Sequence, residues 1–111
     1  MTEKQFIAEL RSLIPEDGQE SSLQAIARAD EAILAFPNSA RLWCLRGTLI
    51  ELGPELSPHL SDAALGSYQR AIEIDPSFAE GWEKIGHFFQ AVLQDEATAQ
   101  TYFQEAKRLG G

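Results

Sequence analysis

The sequence has a single cysteine, no long apolar run and no concentration of basic residues. Cys44 has no second cysteine to pair with, and one unpaired thiol is typical of a reducing compartment, so we expect a cytoplasmic protein. No apolar stretch approaches the roughly 20 residues of a membrane-spanning helix, so we expect no membrane partner. The formal net charge of −8 would repel a phosphate backbone, so we also expect no nucleic-acid partner.

Residues for catalysis or metal binding are equally sparse. His59 and His87 lie far apart, and neither is followed by a second ligand four residues later on a helix. No Gly-rich phosphate loop and no G-x-S-x-G motif is present. Cys44 could pair with a histidine as nucleophile and base, but a small residue filling a helix interface is the simpler interpretation. We therefore expect no enzyme activity, no metal site and no cofactor.

Residues of several types recur at fixed intervals along the chain. Four pairs are 39 residues apart: Ala32 and Ala71, Pro37 and Pro76, Trp43 and Trp82, Gly47 and Gly86. Three pairs are 35 residues apart: Ala64 and Ala99, Tyr68 and Phe103, Ala71 and Ala106. Such regular spacing across different residue types indicates an internal structural repeat.

Between the prolines and glycines, apolar residues follow helical spacing. This pattern predicts six helices: about Glu3 to Leu13, Ser22 to Ala35, Ala40 to Leu52, Ser57 to Ile74, Ser77 to Leu93, and Glu96 to Leu109. Capping boxes are predicted at three helix starts: Thr2 with Gln5, Ser21 with Gln24, and Ser77 with Glu80. No segment alternates strictly between polar and apolar residues, so we expect an all-α fold without a sheet.

Small and large residues at the repeated positions predict how the helices pack. Gly47 and Gly86 should let the second helix of their pairs approach closely. Trp82 should be wedged between the second and third helix pairs, because a tryptophan is large enough to fill such a gap.

The repeated residues resemble the tetratricopeptide repeat, whose signature is W-x2-L-G-x2-Y, then A-x3-F, then P. The resemblance covers residues 22–109. The matching segments are Trp82–Phe89 (WEKIGHFF) and Trp43–Ile50 (WCLRGTLI), then Ala64 with Tyr68, Ala99 with Phe103, and Pro37 and Pro76. Arg46 departs from the pattern, because it stands where the family usually has an aliphatic residue.

The resemblance implies a right-handed α-solenoid of three antiparallel helix pairs in one domain, 1–111, with pairs at 1–37, 38–76 and 77–111. The first pair departs from the signature, since Ala29 replaces the aromatic residue, and it is either a divergent repeat or a capping hairpin. The family period is about 34 residues, so the longer interval of 39 predicts an exposed loop insertion at 53–57.

In the family, the first helix of each pair lines a concave groove that holds a ligand. By resemblance, helices three and five would present the partner-binding residues: Arg41, Cys44, Leu45, Thr48, Glu51, Glu80, Glu83, Lys84, His87 and Gln90. The acids among them favour a protein or peptide partner that carries Lys or Arg. The alternative interpretation is that these residues are only the solvated sides of two helices.

The sequence therefore predicts a protein-interaction module, an adaptor or scaffold that binds a protein segment in this groove. The alternative function is a self-assembling module that forms homo-oligomers by stacking end to end through helix six. No helix is predicted after helix six, so we expect its Tyr102 and Leu109 to be open to a second copy or to a partner.

Overall fold

The structure is a computed structural model that describes residues 1–54 and 58–110, with the backbone only for residues 58–60. Within these residues the chain forms six α-helices and no strand. Their bounds are α1 Glu3–Ser12, α2 Leu23–Ala35, α3 Ala40–Glu51, α4 Pro58–Ile74, α5 Ala79–Ala91 and α6 Glu96–Arg108. The predicted all-α fold is confirmed, and every observed helix end lies within two residues of the predicted one.

Side-chain caps differ between α1 and α5. The hydroxyl of Thr2 accepts from the N–H of Gln5 at 3.1 Å, and the Gln5 side chain accepts from the N–H of Thr2 at 2.8 Å, which confirms this capping box. The box predicted at Ser77 is wrong, because Phe78 caps α5 without a side-chain hydrogen bond. Ser77 instead donates its N–H at 3.1 Å and its hydroxyl at 2.6 Å to the Asp75 carboxylate. The turn before α5 is therefore held by an aspartate.

The capping box predicted at Ser21 is also wrong, because Ser22 takes the cap position of α2. The Ser22 hydroxyl accepts from the N–H of Ala25 at 3.0 Å. Ser21 is buried against the end of α3 instead. Its N–H donates to the carbonyl of Leu52 at 2.9 Å, and its hydroxyl donates to the carbonyl of Leu49. These two bonds tie the start of α2 to the last turn of α3.

The second and third helix pairs are built on the same contact between a glycine and an aromatic ring. A Cβ atom on Gly47 would lie 2.6 Å from Cε1 of Tyr68, and one on Gly86 would lie 2.6 Å from Cε1 of Phe103. Each glycine therefore allows its partner helix to approach at a distance that a larger residue would prevent. The close approach predicted for these two glycines is confirmed.

The first pair is arranged differently. α1 and α2 pack against each other much less extensively than α3 with α4 or α5 with α6. Residues 13–22 connect them, and Gly18 in this connection has a φ of +82°, which favours glycine. Phe6 and Leu10 of α1 supply the large side chains of this core, and Ala29 of α2 supplies a small one. In the first pair the large residues thus lie on the first helix and the small one on the second. In the other two pairs the first helix has the glycine and the second has the aromatic ring.

The core consists of two clusters, and α3 contributes to both. The first contains Phe6, Leu10, Ala25, Ala29, Ala32, Leu42 and Leu49. The second contains Cys44, Ile50, Ala64, Tyr68, Ala71, Ile85 and Phe88. One side of α3 therefore packs on the first pair, while another side packs on α4 and α5. This places α5 directly beside α3.

Trp82 lies within the third pair, so the predicted wedge between pairs is wrong for this residue. Its ring is half-buried, and the ring centre lies 5.7 Å from that of Tyr102 in α6. Its indole N–H donates to the carbonyl of Pro76 at 2.9 Å. Trp43, its equivalent in the preceding repeat, packs against the second core cluster, to which Ile85 of α5 belongs.

The greater length of α4 accounts for part of the 39-residue spacing between the first and second sets of repeated residues. This helix has 17 residues, whereas α2 and α6 have 13 each. Of the predicted loop at 53–57, residues 55–57 lie outside the described residues. A Cβ atom on Gly53 would lie 3.2 Å from Cδ1 of Ile26. Gly53 is therefore half-buried against α2, while Pro54 is exposed, and the predicted loop insertion stays a prediction.

Candidate functional site

α3 and α5 lie side by side, which brings predicted site residues from both helices onto one surface. Burial raises the pKa of the Glu51 carboxyl of α3, and Lys84 and His87 of α5 lie close enough to oppose this shift. We call this surface the α3/α5 face and define it by seven exposed or half-buried residues: Arg41, Glu51, Glu80, Glu83, Lys84, His87 and Gln90.

Three of the predicted site residues take part in helix packing. Cys44 and Thr48 are only 2% and 7% exposed, and the Thr48 hydroxyl donates to the carbonyl of Cys44 at 3.2 Å. Leu45 is half-buried and packs against the first core cluster. Burial raises the pKa of the Cys44 thiol to about 12, so the thiol stays protonated at neutral pH. These side chains hold α3 in place and offer little surface to a ligand.

Glu51 sits at the base of the α3/α5 face, where Tyr68 approaches it. The Tyr68 hydroxyl lies 3.3 Å from Oε2 of Glu51 and 3.4 Å from Oγ1 of Thr48, so it can donate to either oxygen. Burial raises the pKa of the Glu51 carboxyl above its usual 4.5, and the hydrogen bond from Tyr68 opposes this shift. Sequence analysis missed Tyr68 as part of the site. The only signal was a tyrosine where the repeat signature has phenylalanine.

The exposed part of the face, on α5, is mostly acidic. Glu80 and Glu83 are exposed, while Lys84 is half-buried. Nε2 of His87 lies 3.6 Å from a carboxylate oxygen of Glu83, and its ring meets that of Phe103 edge to face with centres 4.9 Å apart. Together with Glu51, the α3/α5 face has three carboxylates and two bases, Arg41 and Lys84, so it carries a small excess of negative charge that can attract a cationic segment.

Arg41 and Gln90 lie near the start of α3 and near the end of α5. Arg41 is exposed and borders a shallow depression that Asp75 and Phe78 also line. The Gln90 side chain donates to the two carboxylate oxygens of Glu96 at 3.2 and 3.1 Å. Gln90 is thereby held against the first turn of α6, which fixes this end of the face.

Within residues 1–54 and 58–110, no group of three or more His, Cys, Asp or Glu side chains is arranged to hold a metal ion. The side chain of His59 lies outside the described residues. None of the helices in this part of the chain is both long enough and apolar enough to cross a bilayer.

No protein-family model matches the chain, and no curated protein does. The fold is similar to a solved structure of MamA from Desulfovibrio magneticus RS-1 that runs from residue 41 to its end, with a TM-score of 0.67. The fold is a tetratricopeptide-like helical repeat. The two chains are 20% identical, so the likeness concerns the fold alone. It covers 78% of this chain but only 46% of that one.

Within this tetratricopeptide-like fold, Arg46 replaces an aliphatic residue and connects three helices. Its Nε donates to Oδ1 of Asp30 in α2 at 2.8 Å, and its Nη1 donates to Oγ of Ser67 in α4 at 2.7 Å. Its guanidinium also lies 5.7 Å from the ring centre of Trp43. The departure from the repeat signature is therefore a polar connection between the first and second pairs, which sequence analysis did not identify.

Proposed function

We propose that this chain is a protein-interaction module that binds a segment of another protein across the α3/α5 face. A helical-repeat fold supports this role, because stacked helix pairs create extended surfaces for binding. The observation that carries the proposal is the row of exposed and half-buried charged side chains on two adjacent helices, from Glu51 on α3 to Glu80 and Glu83 on α5.

The proposed partner segment carries Lys or Arg. Glu80 and Glu83 are exposed and can pair directly with basic side chains, while Glu51 lies deeper, where a charge is less screened by water. Exposed ion pairs contribute at most about 1 kcal/mol each, so we expect modest affinity. The affinity should fall as salt is added, because salt screens exposed charges.

A charge-reversal variant with a matched control tests the site. Glu80→Lys with Glu83→Lys reverses two acids on the α3/α5 face, while Asp62→Lys with Glu73→Lys makes the same charge change on the exposed side of α4. Proteins captured from lysate should be depleted by the first variant and retained by the second. If both variants lose the same proteins equally, only net charge matters, and the partner does not bind at this face.

A self-assembling module that stacks through α6 remains the alternative function. Tyr102 of α6 stacks on Phe89 with ring centres 5.6 Å apart and also contacts Trp82. At the equivalent position of the preceding repeat, the smaller Ser67 is buried and accepts a hydrogen bond from Arg46. Tyr102 thus partly covers, from within the chain, the aromatic surface that a stacking copy would need, which favours the adaptor. Light scattering should give a monomer mass at all concentrations, whereas stacking would raise the mass with concentration.

A further inference from the structure

The two most exposed large hydrophobic side chains of the described residues both lie on α2. Leu34 is 82% exposed and Leu23 is 68% exposed. Leu23, Ala27, Asp30 and Leu34 follow the spacing i, i+4, i+7 and i+11, so they form one line along the helix. We call this line the α2 seam. It lies opposite the buried side of the helix, which contains Ala25, Ala29 and Ala32.

The seam is a feature of α2 and not of the repeat. At the positions equivalent to Leu23 and Leu34, the other second helices have Asp62 and Glu73 in α4, and Ala97 and Arg108 in α6. A leucine that stays in water contributes no burial energy to folding. A single exposed leucine is ordinary on a protein surface, but two on one line indicate a contact surface.

The charge around the seam indicates what it can bind. Residues 13–38 contain five acids and one base, so this segment carries half of the net charge of −8. The base, Arg28, is already paired with Glu9 and Glu31. Asp30 is bonded to Arg46, but its side chain remains 49% exposed within the seam. Arg46 and Arg28 thus offset Asp30 and Glu31 on α2, and the acidic excess comes from Glu16, Asp17 and Glu20 before the helix, so the Leu23 end of the seam favours a basic partner.

A second copy of this chain is a poor partner for the seam. Two copies would bring together the same acidic segment, so their charges would repel. A partner with the opposite charge gains attraction where a second copy would meet repulsion.

We propose that the α2 seam is a second docking surface, which takes an amphipathic helix of another protein. The partner helix would have leucine-like residues along one face and Lys or Arg beside them. Leu23 and Leu34 are roughly 16 Å apart along the helix axis, so the partner needs two apolar anchors three turns apart. A basic residue between these anchors would meet Asp30. Because the α3/α5 face belongs to other helices, the two surfaces can hold two partners at once.

A model peptide tests the proposal without knowledge of the partner. The probe is a fluorescein-labelled helix of about 15 residues with leucines along one face and lysines beside them. The variant Leu23→Asp with Leu34→Glu gives the seam the residues that α4 has at the equivalent positions. In fluorescence anisotropy it should bind the probe at least roughly tenfold more weakly than the wild type. The variant also adds two negative charges. If the probe bound only through unspecific attraction of its lysines, the variant would therefore bind it more tightly than the wild type does.

Three controls locate the probe. Leu93→Glu changes a 50% exposed leucine outside the seam and should bind like the wild type. Glu80→Lys with Glu83→Lys lowers the net negative charge and should weaken binding of the probe much less than the seam variant does. A loss equal to that of the seam variant would assign the probe to the α3/α5 face. A twin peptide with glutamates in place of the lysines should bind at least roughly tenfold more weakly.

The fold of the variants is checked by circular dichroism melts. If Leu23→Asp with Leu34→Glu does not fold, Leu23→Ala with Leu34→Ala removes the same apolar surface without added charge. Equal binding of the probe by the wild type and a folded seam variant would overturn the proposal, as would equal binding of both peptides. A dimer in sedimentation equilibrium that the seam variant abolishes would assign the seam to a second copy and overturn the proposed partner.

Discussion

A Cβ atom on Gly47 would lie 2.6 Å from Cε1 of Tyr68, closer than carbon atoms approach without a shift of one of them. Tyr68 has little freedom to move, because it is fully buried and its hydroxyl is within hydrogen-bond distance of Glu51. Phe103 stands in the same position opposite Gly86 but is only half-buried. The two repeats thus share the contact between a glycine and an aromatic ring. The ring of Phe103 can move away more easily than the ring of Tyr68.

Alanine substitutions should reveal this difference. Gly47→Ala should lower the free energy of unfolding by about 1–3 kcal/mol, because it overpacks a buried ring. Gly86→Ala should lower it less, since Phe103 can shift towards solvent. Gly66→Ala is the matched control, because a Cβ there meets no atom within 4 Å, and alanine should stabilise the helix by about 0.5–1 kcal/mol. Urea melts in which all three variants behave alike would contradict the packing described.

Arg46 should contribute more to stability than its partner Asp30. Arg46→Ala removes hydrogen bonds to both Asp30 and Ser67 and should cost about 1–2 kcal/mol. Asp30→Ala should cost less than about 1 kcal/mol, because Asp30 is half-exposed and its ion pair is screened by water. A double-mutant cycle should give a coupling energy below about 1 kcal/mol. A coupling of about 2 kcal/mol or more would mean that the pair is shielded from water.

The two repeat tryptophans should differ in their effect on stability. Each donates its indole N–H at 2.9 Å to a proline carbonyl, Trp43 to Pro37 and Trp82 to Pro76, so the hydrogen bonds are matched. Only Trp43 packs against the second core cluster. Trp43→Ala should therefore approach the roughly 3–5 kcal/mol of a buried aromatic residue, and Trp82→Ala should cost about 2 kcal/mol. Equal losses in urea would contradict this difference in packing between the two tryptophans.

Glu51 should make stability depend on pH in a defined direction. Burial raises the pKa of its carboxyl in the folded protein, so the folded state binds this proton more tightly than the unfolded state does. The ionised carboxylate therefore costs stability above the raised pKa, and this cost disappears as the pH falls below the usual 4.5. Glu51→Gln should raise the urea midpoint at pH 7 and have little effect near pH 4. A destabilising effect at pH 7 would show that the ionised form is favoured by its neighbours.

The helices could be predicted from the sequence because their signals are local. Thr2 with Gln5, the prolines at 37 and 76, and the helical spacing of apolar residues each act within a few positions. The role of Gly47 and Gly86 could be predicted because the repeat signature has a glycine in the first helix of a pair and an aromatic residue in the second. These features need no knowledge of how the helix pairs are arranged in space.

The candidate site could be predicted only in part, because burial depends on distant segments. Cys44 and Thr48 lie on the predicted ligand-binding side of α3, but the neighbouring helices cover them. Ser21 resembles a helix cap, yet its bonds run to α3, more than two dozen residues away. Helical periodicity predicts which side of a helix is apolar, but it does not predict which other helix packs against that side.

Photo-crosslinking is the most direct test of whether a partner segment binds at the α3/α5 face, because it needs no known partner. A benzophenone amino acid at Glu80 reports on the α3/α5 face, and one at Gln69 reports on the exposed side of α4. In cells that make the protein, the label at position 80 should give a discrete adduct with a partner segment containing Lys or Arg, and Glu83→Lys should remove it. Adducts that form only from position 69, or that persist unchanged with Glu83→Lys, would contradict binding at this face.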